Sequence, residues 1–366
     1  MKVTAMNISE LYQLSEWYQS YFGKLTALYK NLHSIILNNT QQPTQQPFTD
    51  QLDILQDFLK IIDTSQLNLQ QIKVLQELGV FELIGHEGIS FTEETVRTTA
   101  YDPATSEAKL RAGMQKIAEA NAKFTAYISA VKAMALEPQT INEYEDRIII
   151  RVGFKKEASI NNVTDWKESS KEWYEIIRGI ALAVKESPED TKIVGATNGS
   201  IILVLAATAM VTALLARIST HATKITLDVI GVQSAIEDLR QKRLLTKTME
   251  TELKKQEKII RDNGIKTIQA EVRKQLPKGT DGEVMNALDN SIAKLLAFGE
   301  KGGDVDFVAP PEDVAEVEVE EDPGTPAAPL LEEIRKVRAI IQEYQHEREN
   351  LKLLEHKNPQ NGAGGE

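Results

Sequence analysis

The groups with which this chain could do chemistry are five histidines and 54 acidic residues; there is no cysteine. The missing thiols exclude a thiolate nucleophile, a disulfide and a cysteine-ligated metal. His33, His86, His221, His346 and His356 lie far apart, and none belongs to the H-E-x-x-H spacing of a zinc hydrolase or to a comparable ligand set. Gly85-His86-Glu87-Gly88 holds a His-Glu pair, yet its two glycines are also what a turn between helices requires. Gly23-Lys24-Leu25-Thr26 resembles the end of a phosphate loop, but it lacks the upstream glycine and lies inside a helical stripe. No G-x-S-x-G motif and no glycine-rich strand-to-helix loop is present. The expectation is a protein with no catalytic residue, no metal and no cofactor, whose carboxylates are solvated charge on helix faces.

The elements that would have to position any such site are mainly helical. Leu11, Leu14, Tyr18, Tyr21, Leu25, Leu28, Leu32 and Ile35 recur every three or four residues, which puts them on one face of a long helix. Asn7 with Glu10 gives it a capping-box start. The proline-containing run 38–47 is a linker, followed by short helices around 50–62 and 68–78. A second long helix from Asp102 carries Leu110, Met114, Ile117, Phe124, Ile128 and Val131, with Asn121 interrupting its seam and Pro138 ending it. Residues 1–138 are therefore read as an N-terminal helical region.

Arg147 to Phe154 changes character: its β-branched residues alternate, placing Ile148, Ile150, Val152 and Phe154 on one face of a strand. Trp166, Trp173, Ile177, Ile180 and Val184 follow as a helical stripe, with both tryptophans expected in the core. Asn198-Gly199 is a hairpin signal, since both central residues of a type I′ turn need positive φ. It predicts strands at Lys192 to Ala196 and Ser200 to Ala206, and hence a β-α-β-β unit over 145–206. The fold class is mainly α: a long-helix bundle or coiled-coil-like body with a small β-α-β-β (α+β) insert.

The hairpin bears on whether the uncharged stretch from Ile193 to Ala216 meets a bilayer. If the hairpin forms, about ten uncharged helical residues remain, roughly 15 Å against a hydrocarbon core of roughly 30 Å. If it does not, a helix from Ser200 to Ile218 is roughly 28 Å long and just spans. Candidate membrane contacts are Ile201, Ile202, Leu203, Val204 and Leu205, with Met210, Val211, Leu214 and Leu215 beyond them. Residues 207–300 read as this apolar root, a charged stem helix and short helices. Ile218, Ile225, Val229, Val232, Ile236 and Leu239 form the stem's seam, and Asn263-Gly264 its C-cap. Residues 301–329 read as an acidic flexible linker, 330–356 as an amphipathic helix and 357–366 as a disordered tail.

The net charge is −12, but residues 304–322 hold nine acidic groups and no basic one, which leaves −3 for the rest. A body without basic excess is no nucleic-acid binder. The N-terminus has no apolar run of the Sec type, so the expected place is the cytoplasm, with membrane association through residues 200–217. The function expected is that of a non-enzymatic helical scaffold or interaction protein that meets a membrane through that segment. Its partners would be itself or another helical protein, and membrane lipid. In outline alone, long helices with one uncharged segment, the chain resembles α-helical pore-forming toxins, which implies a membrane-active protein as the alternative. A purely soluble coiled-coil adaptor is the second alternative.

Overall fold

A computed structural model describes residues 6–42, 46–99, 102–136, 147–197, 201–276 and 280–308, together with Ile340. The chain divides into two compact units, Met1–Glu143 and Tyr144–Glu366.

In the first unit, the stripe beginning at Leu11 forms helix α1 (Ile8–Gln41), started by the Asn7 side chain accepting from the Glu10 N–H at 2.7 Å. It buries Leu14, Tyr18, Leu25, Tyr29, Leu32 and Ile36. Three shorter helices follow, α2 (Thr49–Ile61), α3 (Leu69–Glu77) and α4 (Gly85–Thr99), and then α5 (Pro103–Ala133), with Asp102 as N-cap and Pro103 in its first turn. Helix α5 runs antiparallel to α1: the Tyr18 hydroxyl donates to the Ile117 carbonyl at 3.1 Å, and His33 meets Glu107 at 2.9 Å. The Tyr29 hydroxyl donates to the Leu83 carbonyl at 2.9 Å. Burial raises the pKa of both phenols above the ordinary tyrosine range, so they serve as neutral donors inside the core. The seam position of α5 is Ala120, fully buried, while Asn121 lies half-buried beside it.

The second unit opens with β1 (Ile148–Gly153) and α6 (Val163–Ala183), then β2 (Lys192–Thr197) and β3 (Ile202–Ala207). Both hairpin strands form; the Asn198-Gly199 turn lies outside the described residues. Next come α7 (Ala209–Gln241), α8 (Lys247–Gln275), α9 (Gly282–Glu300) and β4 (Asp304–Val308). The sheet order is β2-β3-β1-β4, antiparallel throughout. This is the order of a split β-α-β plait, with three helices where the simplest version has one. The mainly helical fold with a small sheet is thus the observed one.

The expected details differ in three places. Asp304–Val308, read as the start of an acidic linker, is instead the fourth strand, with Val305 and Phe307 buried between two aspartates that face the other way. Residues 309–329 and 357–366, and all of 330–356 except Ile340, lie outside the described residues. The stem read as one helix to Asp262 is two: α7 stops at Gln241, and Asn263-Gly264 lie inside α8 rather than capping it. Finally, Trp173 is core, but Trp166 is 39% exposed on the outer face of α6.

Candidate functional site

The seam predicted for partner binding is closed within the chain. Ile218, Ile225, Val229 and Ile236 are buried and Val232 and Leu239 half-buried, with α8 folded back along α7. The antiparallel register shows in three polar contacts: His221 to Glu271 at 2.8 Å, Gln233 to Glu257 at 3.3 Å and Arg240 to Glu250 at 3.7 Å. Gly264 permits the approach, since a Cβ there would lie 2.5 Å from the Ile225 side chain. The reversal itself is made by Arg243 at φ +56°, with the N–H groups of Leu244 and Leu245 both donating to the Leu239 carbonyl. Thr246 then caps α8, its hydroxyl accepting from the Met249 N–H.

The membrane-contact candidates are likewise enclosed. Ile202, Leu203, Val204 and Leu205 are the buried core of β3, paired on both sides by β1 and β2. Ile201 is half-buried and accepts from the Phe154 N–H at 2.9 Å. Val211, Leu214 and Leu215 are buried in the first turns of α7, and Met210 alone of the nine is exposed, at 49%. No helix among the described residues is long and apolar enough to cross a membrane.

Of the histidines, His33 meets Glu107 and His221 meets Glu271, and His346 and His356 lie outside the described residues. His86 and Glu87 sit exposed on the first turn of α4, while Gly85 supplies a positive φ and Gly88 a close approach to the Leu83 backbone. The glycines serve the turn. Gly23 is exposed in the middle of α1. Among the described residues no group of three His, Asp or Glu side chains could hold a metal ion. A cavity of about 30 Å³ lies between α7, α9 and the start of β4, lined among others by Ser219, Thr226, Phe298 and Val305. It is close to the volume one water occupies in the liquid and far below the roughly 300 Å³ of a small-molecule pocket. No protein-family model, curated protein or solved structure matches the chain.

What the fold does present is the end of the α7–α8 hairpin. Arg261 of α8 pairs with Glu300, in the last turn of α9, so α7 and α8 continue past that turn toward their connection at 242–246. At the connection Leu244 is 60% and Met249 41% exposed, next to exposed Lys242, Arg243 and Lys247. A hydrogen bond from Lys254 holds the Glu250 carboxyl below the ordinary glutamate range. Sequence reasoning missed this surface because it placed Leu244 and Leu245 in the interior of an unbroken helix.

Proposed function

We propose that this protein is a non-enzymatic interaction protein and that its contact surface is the tip of the α7–α8 hairpin. The observation that carries the reading is the exposure of Leu244 and Met249 on a hairpin whose own seam is closed. Leu244 in the connection and Met249 in the first turn of α8 put two exposed apolar side chains at one end of the hairpin, and their basic neighbours add a polar rim of the kind found around interface anchors. The occupant is a second copy of this chain or another helical protein, and its surface is apolar with acidic flanks. The apolar segment 200–217 offers less, because a bilayer would have to strip β3 from two partner strands before reaching it.

Site-specific photo-cross-linking tests this. A photoreactive amino acid at Leu244 of the full chain, irradiated in the producing cell, should give an adduct. Twice the chain mass identifies self-association, and any other discrete mass a different protein. An adduct at Leu244 that disappears in a Met249→Glu background supports the surface. Absence of any adduct at Leu244, in cells where the same group at exposed Val163 behaves identically, overturns it.

A further inference from the structure

The sheet of the second unit has two faces, and Phe154 and Val305 meet the helices on one of them. Phe154, which continues the alternation of Ile150 and Val152, packs edge-on against Phe298 of α9, whose ring also meets Trp173 of α6. Val305, on the same face, shares the small cavity with Ser219 of α7. The opposite face carries Ile202, Val204 and Ala206 of β3, with Arg151 of β1 standing in register with Asp306 of β4. Every one of these five is buried, at 6% exposure or less. An apolar face crossed by a buried Arg and Asp is covered by something that is itself apolar and that tolerates charge at one place.

We propose that the occupant is the chain's own C-terminal stripe, Leu330 to Leu351. The chain leaves β4 at Val308, whose position in the register puts its side chain on this face, and 58 residues follow. The 21 residues from 309 to 329 reach as far as about 70 Å when extended, several times the width of a four-stranded sheet. Leu330, Ile334, Val337, Ile341 and Tyr344 repeat at three-and-four spacing, and Arg348 occupies the next seam position. A wholly apolar surface would reject that arginine; this face already carries charge, with Asp304 paired to Lys155 and Asp306 in register with Arg151. Ile340, the described residue beyond Val308, is helical and half-buried.

The absence of native cysteine makes the test direct. In the full-length protein, the Val204→Cys thiol should be protected from maleimide. Adding Val337→Asp and Ile341→Asp should accelerate its labelling by about tenfold or more, through loss of the cover. Leu203→Cys, one residue away on the face covered by the helices, should label no faster in the same background. Unchanged protection of Val204→Cys would overturn the proposal and assign the cover to another part of the chain. A second measurement does not depend on those charges: Val204→Cys paired in turn with Val337→Cys, Ile341→Cys and Tyr344→Cys, then treated with a short bismaleimide. An intramolecular cross-link in one of the pairs is expected. No cross-link in any pair, or cross-links only between two chains, overturns it.

Discussion

A methyl group added at Gly179 of α6 would come within 2.1 Å of the Ser291 hydroxyl oxygen and 2.4 Å of the Ala287 carbonyl oxygen. The second contact is backbone, so α6 and α9 would have to separate, and the whole helical layer of the plait depends on their close approach. Gly231 is also inside a helix, but nothing lies within 4 Å of the corresponding position. The same substitution therefore has opposite signs at the two sites. Gly179→Ala should destabilise the second unit by about 1–3 kcal/mol through overpacking. Gly231→Ala should stabilise α7 by about 0.5–1 kcal/mol, because alanine loses less backbone freedom on folding. Urea titrations of the two variants read both, and a stabilising Gly179→Ala would show that the helices are not held at this distance. At this scale the sequence was partly legible. The Asn7 cap could be read directly, because its side chain sits where α1 leaves unsatisfied N–H groups. The packing glycines Gly179 and Gly264 could not, since a glycine inside a helical stripe looks the same whether a neighbour presses on it or not.

Among the elements, the long stripes were readable because burial imposes a period on the side chains, and the β2–β3 hairpin because Asn198-Gly199 is a turn signal. The acidic strand and the turn between α7 and α8 were not. In Asp304-Val305-Asp306-Phe307-Val308 the alternation is present, but aspartate is depleted in strands, and the five residues open an acidic run. The reversal after Gln241 has no glycine or proline. Its left-handed residue is Arg243, which takes φ +56° at a cost that an L side chain normally avoids. This predicts that Arg243→Gly is stabilising, by about 1 kcal/mol, since glycine adopts that conformation without strain. Hydrogen exchange of the α8 amides, Lys247 to Gln275, checks it: protection should rise in the variant. Slower opening would also stiffen the tip that carries Leu244 and Met249, linking the turn's backbone geometry to the surface proposed for partner binding. Faster exchange would mean that the arginine side chain contributes more to the turn than its backbone strain removes.

For the whole molecule, each unit has its own core. Leu14, Tyr29, Leu32, Leu59 and Leu110 belong to one cluster confined to the first unit, and Phe307, Ile150, Trp173 and Ile292 are buried in the second. Two separate cores predict two unfolding transitions. The three tryptophans divide conveniently, with Trp17 in the first unit and Trp166 and Trp173 in the second. A Trp17→Phe protein then reports the second unit by fluorescence, and a Trp166→Phe/Trp173→Phe protein the first. Leu32→Ala, at a fully buried position, should lower the stability seen by Trp17 by about 2–5 kcal/mol and leave the other reporter within about 0.5 kcal/mol. Phe307→Ala should do the reverse, lowering the second unit by about 3–5 kcal/mol. The second effect also tests the corrected assignment of β4, because a phenylalanine in a solvated acidic linker would change stability very little when truncated. If both substitutions shift both reporters equally, the chain unfolds as one cooperative body, and the energetic coupling between the units is as large as the cores themselves.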